Sequence, residues 1–384
     1  MPAQEIVQWD PKDPEALANQ IAAYDRLRLQ CPVTHSDFLG YSILRHEDVL
    51  TLLGDHESFS DAVSARLTVP NGMDPPHHTI SRQVNDRYFT PGVMERFEPV
   101  CRSIAAELID ALPRAQKLNF SEIFAEIYAL RGQSPFLGWP ADVEEPLRRW
   151  TIRNLVATGE QNHTAMKQIA MEFDGYIRQL LSDRRRAGEN APRHLTTSLM
   201  NERVHDRKMT DEELVSLLRN WTVGELSTIS ASVGILANLL SQARELWPRL
   251  RSNPRLVDAS TDEVLRSHAP LVSNRRVTTK DVEISGVRIP AGKRVSIMWA
   301  SANRDESVFG DPDDILLDRD PSLNLLYGAG IHNCPGAPLA RLELRVLIEE
   351  LILRVDRLVP IENDPPVRAH FPGSGFSKLP LIIW

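Results

Sequence analysis

Residues 327–344 read YGAGIHNCPGAPLARLEL, a glycine-rich loop holding one cysteine that runs directly into an arginine-bearing helix. A thiol that only fills a core sits at helical spacing among apolar neighbours. Cys334 instead closes a loop whose glycines, at 328, 330 and 336, no packing requirement explains. The pattern assigns the sulfur a chemical task, and the rest of the chain must supply what it touches.

The 384 residues are 42% hydrophobic and 25% charged. Those proportions fit a soluble globular chain with a large core and exclude disorder as the main state. A net charge of −8 argues against a nucleic-acid partner, because phosphate binding needs a positive surface. Cys31, Cys101 and Cys334 are odd in number and far apart, so no disulfide framework is expected and a reducing compartment is. Phe97, Cys101, Ile104 and Leu108 share a helical face, which makes Cys101 a core thiol. Acids at Asp10, Asp13, Glu15 and Asp25 leave no secretory segment near the start. No apolar run approaches the ~20 residues that span a bilayer. The expectation is a soluble, cytoplasmic protein with no membrane association.

Apolar residues at three-to-four spacing predict helices over 14–30, 92–112, 164–188 and 211–242. The last begins with a capping box, Thr210 and Glu213. It is apolar on most sides and, at ~1.5 Å per residue, roughly 48 Å long. Its centre, TVGELSTIS, is polar and contains Gly224. Strand signals are few: GYSILR at 40–45, a hairpin around Ser285-Gly286, and alternation at Val295 and Ile297. The reading is a mainly α (α+β) fold in one domain, 1–384, with a small β-rich part from about 35–45 and 275–300.

Four patches carry chemistry. His332 and Cys334 alternate in the loop, but a structural zinc site wants four ligands in short-spaced pairs, and one cysteine cannot supply them. Glu263 and Arg266 lie three apart on a helix, either a surface ion pair of small worth or a buried one. In DPPHHTISRQ (74–83), His78 and Arg82 fall one turn apart on one face, suited to an anionic ligand or merely exposed. Glu225, Ser227 and Thr228 break the apolar helix, either as chemistry or as side chains bonding back to helix carbonyls.

Taken together and in this order, these patches resemble the cytochrome P450 family, the haem-thiolate monooxygenases. The loop at 327–336 is similar to the family's phenylalanine-glycine-x-glycine-x-histidine/arginine-x-cysteine-x-glycine pattern, and NRRVTTKDVEISGVRIPAG (274–292) also matches. The resemblance implies the P450 fold, with a long central helix over haem b (iron protoporphyrin IX). It implies Cys334 as axial thiolate ligand, with Tyr327, Gly328 and Gly336 lining the cofactor. His78, Arg82, Arg276 and His332 would bind the haem propionates. Glu263 and Arg266 would form a structural network, with Arg319 the candidate third member. A thiolate pushes electron density onto haem iron and favours O–O cleavage. Glycines let the loop lie close to a porphyrin, and the N-terminus of the following helix stabilises the anion.

Two departures stand out. Tyr327 replaces the usual phenylalanine. The central helix lacks the alanine/glycine-glycine-x-acid-threonine motif, whose acid–alcohol pair delivers protons. Aligned on Gly224, the alcohol is Ser227; shifted by one residue, it is Thr228, the register that the spacing to Glu263 favours. Glu225 is nearby in either case. By family analogy the substrate pocket would include Leu67, Val69, Gly224, Leu271, Val272 and Phe371, and ferredoxin with its NAD(P)H-dependent reductase would deliver electrons to a basic patch at Arg87 and Arg345. The implied activity inserts one atom of dioxygen into a small or medium apolar substrate. The alternatives are a haem-thiolate sensor with poor turnover and a peroxide-driven oxygenase.

Overall fold

A computed structural model describes residues 6–204, 206–243 and 245–384. The helices that build the site are α1 (Gln20–Gln30), α2 (His77–Asp86), α3 (Pro91–Asp110), α4 (Glu126–Leu137), α5 (His163–Ala187), α6 (Asp211–Gln242), α7 (Val257–His268) and α8 (Ala337–Arg354). The single helix expected over 14–30 is broken. A short helix, Pro14–Ala18, ends at Asn19, whose φ of −151° leaves the helical region and whose side chain accepts from Ala22 N at 3.2 Å. Asn19 thus caps α1, a stronger local preference than continuing the first helix.

The central helix runs from Asp211 to Gln242, the expected limits. Thr210 Oγ1 accepts from Glu213 N at 3.2 Å, and Glu213 Oε2 accepts from Thr210 N at 2.8 Å, so two of its orphan donors are satisfied. By length and composition α6 could cross a membrane, but Leu214, Leu218, Ile229, Val233 and Leu236 are buried against other helices. Its hydroxyls bond back along the helix: Thr222 Oγ1 to Leu218 O at 2.9 Å, Thr228 Oγ1 to Gly224 O at 2.7 Å and Ser232 Oγ to Thr228 O at 2.7 Å. That is how a polar centre survives in a buried helix. α3 lies along α8, and α4 lies against both α3 and α6, closing a four-helix core that holds Cys101, Phe97, Phe136 and Tyr128.

The strands of the two larger sheets and the hairpin are β1 (Val7–Gln8), β2 (Val33–Ser36), β3 (Gly40–Ile43), β4 (Phe59–Ser60), β5 (Lys117–Asn119), β6 (Ser273–Thr278), β7 (Val282–Ile284), β8 (Val287–Ile289), β9 (Arg294–Met298), β10 (Leu358–Pro360) and β11 (Pro380–Ile383). Six form one sheet in the order β1-β2-β3-β9-β6-β4, with β3 and β9 parallel and Val295 opposite Tyr41. The Ser285-Gly286 hairpin forms, both residues at positive φ as a tight turn of this hand demands. However, β7 and β8 make a separate ribbon instead of joining the main sheet. A second sheet, β10-β11-β5, had no clear alternation to announce it.

Beneath the cysteine loop, α7 carries a buried ionic knot. Arg266 Nε and Nη2 donate to Glu263 at 2.8 and 2.9 Å, and Arg319 Nε donates to Glu263 Oε1 at 2.8 Å. Arg266 also donates to the carbonyls of Asn303, at 2.7 Å, and Pro312, at 3.1 Å. The Arg266 and Glu263 side chains are 1% and 6% exposed, so this is not a superficial pair. Replacing Glu263 by Ala strands a desolvated guanidinium, and we expect a loss of about 3–5 kcal/mol in urea unfolding. A loss within about 1 kcal/mol, the range of an exposed pair, would show that the knot is mechanically idle.

Candidate functional site

The site assembles where α2, the 327–336 loop and β6 converge. Cys334 N donates to Tyr327 O at 2.8 Å, closing the loop, and Asn333 N donates to Gly330 O at 3.2 Å. Gly330 has φ +70°, and a Cβ there would stand 2.4 Å from the Leu53 carbonyl oxygen. Only glycine allows that approach. Cys334 heads the turn into α8, with bonds from the Gly336 and Ala337 amides drawing its thiol pKa down. Although Cys334 is exposed, desolvation by the surrounding protein is the larger effect and leaves the thiol above its ordinary value. Tyr327 is half-buried under the Arg341 guanidinium, 4.5 Å from the ring centroid, and its buried hydroxyl has no hydrogen-bond partner.

Three of the four expected cations come together. The His78 and His332 rings meet at 4.1 Å between centroids, tilted by 52°. His332 Nε2 lies 2.9 Å from Asp61 Oδ2, and Arg276 Nη1 lies 2.7 Å from Asp61 Oδ1. His78 is buried with neither ring nitrogen bonded, an orphan that asks for an acceptor. Burial first, then the neighbouring His332 and Arg82, lower its pKa to about 4, so it is neutral. Arg82 is used differently. It donates to the carbonyls of Ile331, at 3.2 Å, and Asn333, at 2.8 Å, to Asn333 Oδ1 at 3.0 Å and to Asp86 at 2.5 Å. Arg82 does stand near His78, as expected, but its guanidinium is spent on clamping the loop. Among the described residues, the three-ligand cluster of metal-binding type is Asp61, Asp74 and His332, which excludes Cys334 and has a guanidinium on one carboxylate.

On α6, Val223 and Gly224 are exposed and Asn220, Ser227, Thr228 and Ala231 are half-buried, a stripe at helical spacing. Ser227 and Thr228 both border it. Glu225 is turned about 100° from Gly224, toward α4 and α8. Its Oε2 accepts from Gln133 Nε2 at 3.1 Å. There it meets Glu343 of α8, which is buried with no donor on either oxygen. Gly132 makes the room, since a Cβ there would stand 2.8 Å from Glu343 Oε1. Burial raises Glu225 to about 7; burial and then the facing Glu225 raise Glu343 well above the carboxylate range. Two bare acceptors can face one another in a dry core only with a proton between them.

The expected pocket residues divide. Leu67 and Leu271 are exposed at 43% and 40%. Val69 is buried, its N–H donated to Ser216. Val272 and Phe371 fill a core cluster with Tyr24 and Leu39, Phe371 meeting Phe38 edge-on at 5.2 Å. They back a wall instead of presenting one. The basic patch is also corrected, because both arginines already have acids: Arg87 with Glu202 at 2.8 Å, and Arg345 with Glu98 at 2.7 Å and Glu349 at 3.1 Å. Asp61, Asp74 and Glu343 were not anticipated. Asp61 follows β4, whose Ser60 pairs with Val277 and so brings Asp61 level with Arg276.

The family model for cytochrome P450 matches residues 150–383. Nocardicin C N-oxygenase of Nocardia uniformis subsp. tsuyamanensis is 33% identical, the match covering 88% of each chain. Linalool 8-monooxygenase of Pseudomonas putida is 28% identical, over 97% of this chain and 98% of that protein. Among solved structures, cytochrome P450 CYP109Q5 from Chondromyces apiculatus superposes with a TM-score of 0.87 at 29% identity, covering 99% of both chains.

The buried acid pair gives a pH signature. The folded chain keeps a proton that the unfolded chain releases near the ordinary glutamate pKa, about 4.3. Stability from this source is full below that value and declines as pH rises toward 7 and beyond. Glu343→Gln removes the titration while keeping the shape. Its urea midpoint should fall less than the parent's between pH 5 and 8; parallel declines would mean that the pair holds no shared proton.

Proposed function

Because the chain belongs to the cytochrome P450 family, we propose that it is a haem-thiolate monooxygenase that inserts one atom of dioxygen into a small or medium apolar organic molecule. Electrons would come from NAD(P)H through a separate ferredoxin and ferredoxin reductase. The observation that carries the reading is the convergence of Cys334, at the head of α8, with the orphaned His78, His332 and Arg276 on one side of the loop. A thiolate donor with carboxylate-binding groups beside it fits a haem with two propionates. When bound, a haem held by a cysteine thiolate would supply the activation of dioxygen.

The chain's own residues do the rest. Cys334 would ligate the iron, its sulfur held by the Gly336 and Ala337 amides and the positive end of α8. Arg276, His332 and His78 would take the propionates as hydrogen-bond donors. Asp61 aligns Arg276 and His332 before a propionate arrives. Gly328, at φ +69°, turns the loop without a side chain. Above, the stripe from Asn220 to Ala231 offers two hydroxyls to the reacting groups. Thr228, resting on the Gly224 carbonyl, is the hydroxyl we assign to proton delivery, with Ser227 its neighbour in the other register. Glu225 faces the core and would act as a reserve acid. Leu67, Leu271 and Gly224 contribute exposed surface to an apolar pocket. That relatives include a linalool 8-monooxygenase and a nocardicin C N-oxygenase supports an organic substrate without choosing one.

Two measurements test this. Cys334→Ala should abolish the red-shifted Soret band of the reduced, CO-bound protein; a surviving band in a haem-loaded variant sinks the ligand assignment. With surrogate ferredoxin and reductase, Thr228→Ala should lower product formed per NAD(P)H consumed more than Ser227→Ala does. If Ser227→Ala alone uncouples, the register is off by one residue. Product formed from peroxide but not from the reductase system would identify a peroxide-driven enzyme instead.

A further inference from the structure

A concavity lies beyond the end of α2, where Arg87 and Tyr88 line its edge. It has a volume of about 1350 Å³ and is walled by the start of α3, the end of α4, the end of α5 and the segment 192–202. None of its lining comes from α6 or from the 327–336 loop, so it is separate from the proposed reaction site. The floor is apolar and aromatic: Phe97, Phe136, Trp139 and Leu180. Its volume exceeds the roughly 300–1,000 Å³ of ordinary small-molecule pockets, which suits an extended body.

The charge around this floor runs against the rest of the chain, whose net charge is −8. The two acids in the lining are already engaged. Glu202 takes Arg87 at 2.8 Å and the Tyr88 hydroxyl at 3.0 Å, and Asp183 takes Gln179 at 2.9 Å and also Arg186. Arg184 is buried at the edge with carbonyl and hydroxyl acceptors, Pro192 O and Thr197 Oγ1 at 3.1 Å, but no carboxylate. Arg96 and Arg193 are exposed, and among the described residues neither has an ion-pair partner. Positive charge in excess of its acids, above an aromatic floor, is complementary to one anion on an apolar body.

We propose that this cleft is a second ligand site, for an extended apolar molecule bearing a single carboxylate, with Arg96 and Arg193 receiving the acid and Phe97, Phe136 and Trp139 the body. The probe is 12-bromododecanoate, whose bromine quenches nearby indoles. In the haem-loaded protein it should quench a saturable fraction of tryptophan fluorescence that Trp139→Phe removes. Arg96→Glu with Arg193→Glu should raise its dissociation constant by about tenfold or more, and the Gln pair should have a smaller effect. Dodecyltrimethylammonium, with the same tail and the opposite charge, should not compete. Because both arginines are exposed, haem loading and circular dichroism of the variants should match the parent. Quenching that survives the double charge reversal unchanged would overturn the proposal, as would equal competition by the cationic analogue. So would a reversal that weakens an acidic ferredoxin but leaves the fatty acid untouched, since the cleft would then be a protein-docking face.

Discussion

One guanidinium determines where the cysteine can be. Arg82 projects from α2 and holds two carbonyls and a side-chain oxygen of the 331–333 segment, while Asp86 holds it from behind. Each bond of a charged donor is worth about 1.5–3 kcal/mol, and together they replace the regular structure that the loop lacks. On the other face, Gly330 rests against the Leu53 carbonyl. The loop is therefore pinched between two elements distant in sequence. The paired imidazoles, the Asp61 contacts and the direction of α8 all follow from that pinch.

The charges obey one rule across the molecule. With 52 acids and 44 lysines and arginines, many arginines find a carboxylate, and even Arg345 and Arg87 are consumed locally. A cation without an acid, or an acid without a cation, is thus the exception that carries information. His78 and the Glu225–Glu343 pair are exceptions in the interior. Buried groups of this kind cost stability unless something else completes them, and folds retain them where a bound group or a proton does so.

What was legible in the sequence was local. The Thr210–Glu213 cap, the limits of α6 and the glycine spacing around Cys334 are written in neighbouring residues, and the structure keeps them. Glu263 and Arg266 were legible because residues three apart on a helix are neighbours; Arg319 joined them only through the family resemblance. What escaped depends on pairings that no local pattern encodes. Asp61 meets Arg276 because β4 pairs with β6 across more than 200 residues, and Glu343 meets Glu225 because α8 crosses α6. Arg345 looked free for the same reason: Glu98, on α3, is its neighbour only after the bundle forms. The break at Asn19 is the exception, a local signal outvoted in the reading by the apolar periodicity around it.

The parallel pairing of β3 with β9 has a consequence for the order of events on the ribosome. Strand residues 40–43 pair early with β2 but cannot find their parallel partner until residues 294–298 have been made, and β5 waits for residues 380–382. α3, likewise, waits for α8 to complete its packing. The amino-terminal third therefore leaves the tunnel with its apolar faces uncovered, and stays so through most of synthesis. Contacts of such long sequence separation slow folding and prolong exposure to aggregation. Slower translation, lower temperature or a holdase chaperone should therefore protect the growing chain more than an added cofactor precursor does, since the exposure comes before a binding cleft exists.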